Sequence, residues 1–96
     1  MKRNEILKRL AAHKQELDSL DVKSLAIFGS VARDEARPDS DVDIIVEFSK
    51  PVGLFEFIDL KNYLEELLGC KVDIGTVASL KPKMLERVLK EAVHVS

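Results

Sequence analysis

The stretch from residue 25 to residue 48 constrains the fold more than any other part of the chain. One apolar run ends at Gly29 and Ser30, and after ten linking residues Asp41 and Asp43 open a second apolar run. Short apolar runs bounded by turn residues are typical of buried strands. The pattern therefore predicts two strands and, between them, a Gly-Ser turn that begins a short helical segment.

The turn at Gly29 and Ser30 is a candidate phosphate site. Where a strand turns into a helix, free backbone N–H groups lie at the positive end of the helix dipole and attract phosphate. Glycine lets the backbone approach a ligand closely, and the serine hydroxyl can donate to a phosphate oxygen or cap the helix. Because Gly-Ser is also common in simple turns, its meaning depends on the acids that follow.

Asp41 and Asp43 are candidate metal ligands. Strand side chains alternate between faces, so both carboxylates point to the same side, with Cα atoms about 6–7 Å apart. Two acids on one face repel each other, and a divalent cation would remove that repulsion. Ligands that are all oxygen favour Mg²⁺, with Mn²⁺ as the alternative, over zinc.

Residues Gly29-Ser30 and Asp41-Val42-Asp43, with apolar flanks, resemble the signature of the DNA polymerase beta-type nucleotidyltransferase superfamily. The whole string from 29 to 48 is similar to its minimal nucleotidyltransferases, small prokaryotic proteins that act as antitoxins beside a HEPN-domain toxin. One residue departs from that pattern, because Asp34 stands where a glycine is expected. An acid there either weakens nucleotide affinity or faces solvent.

Hydrophobic periodicity supplies the other elements, which are helices at 3–19, 54–68 and 82–92 and strands at 71–75 and 93–95. The expected fold is α/β (α+β), with a small mixed sheet of three main strands and helices packed against it. The expected order is α-β-α-β-α-β-α. This is the fold that the resemblance implies for residues 1–96 as a single domain.

Several single residues mark the ends of these helices. Asn4 is predicted to cap the first helix, Gly69 to end the second and Pro82 to begin the last. The apolar residues of the second helix that are predicted to face the core are Leu54, Phe57, Ile58, Leu64, Leu67 and Leu68.

Asp73 is the candidate for a third acid at the site. Strand 42–48 connects through one helix to strand 71–75, and such a crossover allows the two strands to be parallel neighbours. A lone carboxylate in an apolar strand is costly to bury, so Asp73 is expected to lie near Asp41 and Asp43. In the resembled superfamily a carboxylate on a later strand has this role.

Composition excludes several classes of function. A net charge of −2 argues against strong nucleic-acid binding. Cys70 is the only cysteine, which excludes an intrachain disulfide and fits a cytoplasmic protein. No apolar run approaches the ~18 residues of a transmembrane helix, so no membrane association is expected. An oligomer, of identical chains or with a partner, is compatible with the sequence.

The resemblance implies a Mg²⁺-dependent transfer of AMP from ATP, with two ions held by Asp41, Asp43 and Asp73 as the catalytic acids. It places the phosphates at Gly29 and Ser30, and further candidate phosphate contacts are Arg33, Arg37 and Ser40. About 20 residues follow the third strand, too few for an acceptor-binding domain. A protein acceptor is therefore expected, and the resemblance identifies it as a tyrosine hydroxyl of the HEPN toxin.

Two other functions are open at this point. The chain could neutralise its toxin by binding alone, with little or no catalysis, and Asp34 is the residue that favours this alternative. It could also be a small-molecule nucleotidyltransferase of the aminoglycoside-modifying type, in which case a homodimer would have to supply the acceptor pocket.

Overall fold

A computed structural model describes residues 2–35 and 41–95. In order, the elements are α1 (Arg3–Ala12), α2 (Lys14–Ser19), β1 (Val22–Phe28), β2 (Val42–Phe48), α3 (Leu54–Leu68), β3 (Val72–Thr76), a 3₁₀ turn (Val77–Ser79), α4 (Pro82–Glu91) and β4 (Val93–His94). The predicted contacts Arg37 and Ser40 lie outside the described residues. No helix in 2–35 or 41–95 has the length and apolar character needed to cross a bilayer.

The sheet contains four strands in the order β3-β2-β1-β4. β1 is antiparallel to both β2 and β4, whereas β2 and β3 are parallel. The predicted α/β fold with a mixed sheet is thus confirmed, as is the parallel pairing across the α3 crossover. The predicted edge strand joins the sheet as β4, so the sheet has one strand more than the three main strands expected.

The core lies on one face of the sheet. Val42, Ile44 and Val46 of β2 are buried there, against apolar residues of α1, α2 and α3. On the other face Asp43 and Ile45 are only half-buried, with α4 beside them. The more open face of β2 is therefore the one that carries the acids.

The predicted helix 3–19 is divided into α1 and α2 at His13. In a regular helix the N–H of His13 would bond to the carbonyl of Arg9. Here that N–H donates to the carbonyl of Leu10 instead, at 3.2 Å. The Nδ1 atom of the His13 ring lies 2.8 Å from the Arg9 carbonyl oxygen and replaces the missing bond. The side chain thus competes with the backbone and interrupts the helix.

The predicted cap at Asn4 is also wrong, because Asn4 lies inside α1. Lys2 occupies the capping position and its side chain makes no capping hydrogen bond. The N–H of Arg3 donates instead to Oδ1 of Asp34, at 3.3 Å. A side chain far away in sequence therefore satisfies a free N–H group of the first turn.

No helix follows Ser30 in the described part of the chain, so one helix of the predicted order is absent there. The backbone makes a single helical turn, in which the N–H of Arg33 donates to the carbonyl of Gly29 at 3.2 Å. Asp34 then adopts a left-handed conformation, with φ of 58°, which ends helical propagation.

α3 has its predicted bounds and ends at Gly69, which is left-handed with φ of 69°. Its buried residues are Leu60, Leu64 and Leu68, spaced by four. The prediction that Leu54 and Ile58 face the core is wrong, because Leu54 is 70% exposed and Ile58 40% exposed. The first turn of α3 lies beside a surface cavity at the ends of β2 and β3, so its apolar residues do not reach the core.

Leu60 and Leu54 form a matched pair for testing this packing. Replacing the fully buried Leu60 with alanine removes apolar contacts and leaves a cavity, so Leu60→Ala should lower the free energy of unfolding by about 2–5 kcal/mol. Leu54→Ala on the same helix should change it by about 0.5 kcal/mol or less. Urea denaturation of both variants measures the difference, and equal losses would contradict the described orientation of α3.

Candidate active site

The register of the sheet brings three parts of the chain together. Phe28, at the end of β1, pairs with Asp43 on β2, and Asp43 pairs with Asp73 on β3. Gly29 follows Phe28 directly, so the Gly-Ser turn begins beside Asp43. The turn and two of the three predicted acids are therefore neighbours across adjacent strands, and Asp41 precedes the start of β2.

Gly29 meets two requirements that only glycine satisfies together. Its φ is 76°, in the left-handed region that side chains disfavour. A Cβ atom at this position would also lie 2.5 Å from Oδ2 of Asp43, closer than the two atoms can approach. The glycine therefore allows the backbone of the turn to lie directly against the carboxylate.

The turn is anchored to the core by buried side chains. The side chains of Val31 and Ala32 are buried, and the N–H of Glu35 donates to the carbonyl of Ser30 at 2.8 Å. Within residues 2–35 and 41–95, the N–H groups of Ser30, Val31 and Ala32 have no backbone acceptor. Such N–H groups at the start of a turn are suited to binding an anion.

Asp43 is the electrostatic centre of the site. Its pKa is raised above the ordinary value of an aspartate, first because burial disfavours the charged form and then because the Asp73 and Asp41 carboxylates repel it. Asp41 and Asp73 are themselves exposed. The three carboxylates together make the local electrostatic potential negative, which attracts a cation and repels an additional anion.

Comparison with known proteins identifies the family. The nucleotidyltransferase domain family matches residues 7–95. The chain belongs to this family. It is 47% identical to the protein adenylyltransferase MntA of Thermococcus cleftensis over 92 residues, which cover 95% of this chain and 93% of the relative.

Solved structures agree with this assignment. A minimal nucleotidyltransferase superimposes with a TM-score of 0.84 at 39% identity, covering 97% of this chain and 95% of that one. The MNT antitoxin of Shewanella oneidensis, solved in complex with a tri-AMPylated HEPN toxin, has a TM-score of 0.61 at 16% identity. It aligns with 88% of this chain and 70% of its own length, and at that identity it shows the shared fold alone.

The acids of this nucleotidyltransferase fit a divalent cation by their chemistry. The donors are all carboxylate oxygens, which Mg²⁺ prefers, and the charge at Asp43 is disfavoured without a counterion. Among residues 2–35 and 41–95, no three His, Cys, Asp or Glu side chains are gathered closely enough to enclose an ion. Mg²⁺ commonly takes one or two carboxylates and completes its shell with substrate phosphates and water, so neighbouring acids are sufficient.

Arg33 lies on the turn, but two acids already hold its side chain. Its Nε atom is 3.3 Å from Oε2 of Glu35, and its guanidinium is 3.6 Å from Oε2 of Glu91 at the end of α4. That oxygen of Glu91 is buried and has no hydrogen-bond partner in the described part of the chain. Phosphate binding by Arg33 stays a prediction, since the arginine would have to leave these acids.

Asp34 accepts a hydrogen bond from the N–H of Arg3, and the Arg3 side chain donates to the carbonyl of Ala32 at 3.2 Å. The carboxylate that departs from the family pattern is therefore directed to the start of α1, where the helix dipole favours a negative charge. Its left-handed backbone also explains why a glycine is expected there. Arg3 and Glu91 could not be predicted from a local sequence pattern, because each contacts the turn from a distant part of the chain.

Removing the charge at Asp43 should raise the stability of the ligand-free protein and weaken its binding of a cation. In metal-free buffer at neutral pH, Asp43→Asn should raise the melting temperature by a few degrees, because it removes a half-buried charge beside two like charges. The same variant should lose most of the stabilisation that Mg²⁺ with ATP gives the unaltered chain. Thermal unfolding with and without both ligands measures the two effects.

Asp59→Asn is the matched control for that experiment, since Asp59 is an exposed acid on α3. It should leave the melting temperature and the response to ligands unchanged. A destabilised Asp43→Asn variant, or one that still responds fully to Mg²⁺ with ATP, would contradict the electrostatic description.

Gly29→Ala should reduce nucleotidyl transfer by about 10²-fold, because the new methyl group must displace either the turn or the Asp43 carboxylate. Gly69→Ala is its control, since Gly69 has a similar φ but no neighbouring atom within 4 Å of the place that a new methyl group would occupy. That variant should lose about 1 kcal/mol of stability from backbone strain and keep its activity. Equal activity in the two variants would show that the contact with Asp43 is unimportant.

Proposed function

We propose that the chain transfers AMP from ATP to a tyrosine hydroxyl of a cognate HEPN toxin and acts in this way as its antitoxin. The observation that carries the proposal is the register that aligns the Gly29 turn, Asp43 and Asp73 across three strands. Identity to a named protein adenylyltransferase supports protein adenylylation. The AMPylated HEPN toxin in the Shewanella complex supports the choice of partner.

In the proposed reaction the triphosphate binds at the turn, with Gly29 and Ser30 holding the β- and γ-phosphates. The acceptor oxygen attacks the α-phosphorus and forms a new P–O bond. The bond from the α-phosphorus to the bridging oxygen breaks, and pyrophosphate leaves with that electron pair. The hydroxyl proton passes to the Asp73 carboxylate, so no covalent intermediate with the protein is required.

Asp41, Asp43 and Asp73 would hold Mg²⁺, which when bound lowers the pKa of a hydroxyl and neutralises phosphate charge. Without it, three carboxylates would repel the triphosphate that the turn attracts. The acids of this chain therefore have two tasks in the proposal: they retain the cation, and through Asp73 they accept the proton of the acceptor.

The chain itself is a poor acceptor. Tyr63 is its only tyrosine, and the hydroxyl oxygen of that residue is buried, without a hydrogen-bond partner in the described part of the chain. Burial and the charge of Glu16 raise its pKa, which makes the hydroxyl harder to ionise. AMP found on tyrosine in a mixture should therefore be on the partner.

The alternative that the chain neutralises its toxin by masking alone loses its sequence support. It depended on Asp34 weakening the nucleotide site, whereas the Asp34 carboxylate accepts a hydrogen bond at the start of α1. We therefore favour catalysis. Neutralisation by binding and small-molecule nucleotidyl transfer are both separable from it by experiment.

The test incubates the purified chain with Mg²⁺, ATP labelled at the α-phosphate and a HEPN protein encoded by the neighbouring gene. The HEPN protein should become labelled on tyrosine. An Asp41→Asn/Asp43→Asn double variant should reduce labelling by at least about 10³-fold, because it removes both the cation site and its charge. Gel autoradiography and peptide mass spectrometry detect the modification, with Asp59→Asn as the active control.

Protection of cells from the toxin distinguishes the alternatives. If the double variant still protects, neutralisation occurs by masking and the catalytic proposal is wrong. If the unaltered chain labels an aminoglycoside but not the HEPN protein, the acceptor is a small molecule.

A further inference from the structure

A cavity lies directly beside the acids, between the sheet and α4. Its volume is about 390 Å³, within the range of small-molecule sites in proteins. Asp43 and Asp73 form its polar side. Its apolar walls are Phe28, Ile45, Leu80, Met84 and Val88. A ligand seated there would touch mostly hydrocarbon and would have two carboxylates at one end.

Gly75 helps to keep this space open. It lies two residues after Asp73 on β3, so a side chain at this position would point to the same face as the acid. Its φ is not positive, so the backbone does not require glycine. A Cβ atom there would lie 3.4 Å from Cδ1 of Ile45, at the limit of an ordinary contact. The missing side chain therefore contributes open volume next to Asp73.

The position of the cavity matches the acceptor side of the proposed reaction. In phosphoryl transfer the attacking and leaving oxygens lie roughly in line with the phosphorus. Pyrophosphate leaves toward the turn that follows β1, so the acceptor must approach from the opposite side, where β3 lies. Gly75, Leu80 and Met84, which belong to β3 and the chain that follows it, wall the cavity on that side.

We propose that this cavity binds the aromatic ring of the acceptor and so selects a phenolic hydroxyl over an aliphatic one. The inference rests on the proposed function, which it deepens by assigning residues to the choice of acceptor. An apolar wall suits the ring, and the carboxylates at one end suit a hydroxyl at its tip. A serine or threonine side chain would leave the apolar walls uncovered.

The chain offers a clean reporter for this site. The chain contains two methionines, Met1 and Met84, and Met84 lines the cavity, so the methionine methyl signal that a Met84→Leu variant lacks reports on this site. An aromatic ring placed against the Met84 methyl group shifts its resonance. Titration with p-cresol, in the presence of Mg²⁺ and a non-hydrolysable ATP analogue, should shift the Met84 signal.

Two further ligands test the alternative that the cavity holds the adenine base. The ATP analogue alone and inorganic triphosphate should have the same small effect on Met84, because neither places a ring in the cavity. A large shift with the analogue but not with triphosphate would assign the cavity to adenine and overturn the proposal. Absence of a p-cresol shift would overturn it as well.

Kinetics supply an independent measurement. Gly75→Ala adds a methyl group to the cavity beside Asp73 and should raise the KM for the HEPN acceptor at least about tenfold, as small changes of volume do in apolar pockets. The KM for ATP should stay within about twofold. Gly53→Ala is the matched control, since Gly53 precedes α3, and its Cβ would meet only the flexible Glu56 side chain.

The outcomes also separate this proposal from the proposed function. If p-cresol shifts Met84 but no HEPN protein is labelled, the cavity binds a phenol ring and the proposed function is wrong. If the partner is labelled, but Gly75→Ala has normal kinetics and Met84 does not respond, the assignment of the cavity is wrong while the function stands.

Discussion

The parallel pairing of β2 with β3 determines where the charges of the molecule lie. It places Asp43 opposite Asp73, although two carboxylates on neighbouring strands repel each other. The same pairing places Val42 opposite Val72, and both valines are buried on the other face. Burial of the apolar side chains stabilises the register, and the acids are held together as a consequence. The core therefore offsets the repulsion in the site.

The three strands carry the groups of the proposed reaction in sequence across the sheet. β1 ends at the turn that is suited to phosphate, β2 carries Asp43, whose charged form is disfavoured, and β3 carries the acid beside the open cavity. Neighbouring strands are about 4.8 Å apart, a spacing comparable with the distances between reacting groups. In the proposed reaction the leaving group, the cation and the acceptor would therefore follow one another across these strands.

Local patterns predicted the elements that depend on local interactions. The bounds of β2 and α3 follow from apolar runs and from Gly69, and the parallel β2–β3 pair follows from the single intervening helix. Several expectations failed, and local patterns do not reveal the causes. The His13 ring bonds to a carbonyl that helix propagation needs, Asp34 replaces Asn4 at the start of α1, and the first turn of α3 lies beside a cavity.

The residues that complete the site were the hardest to find from the sequence. Gly29, Asp41, Asp43 and Asp73 belong to a spaced pattern with a chemical meaning. The contacts that Arg3 and Glu91 make with the turn depend on the packing of α1 and α4, which no spacing in the chain encodes. Gly75 is equally inconspicuous, because its contribution is volume and becomes visible only when α4 is placed over the sheet.

The ion pair between Arg33 and Glu91 has a consequence for biosynthesis. A chain that emerges from the ribosome has β1 and its turn long before Glu91 is available, since synthesis proceeds from the N-terminus. Until α4 reaches the sheet, the Arg33 guanidinium lacks this partner and the cavity beside Asp73 lacks the wall that α4 contributes. The nascent protein can therefore bury much of its core before its active site is complete.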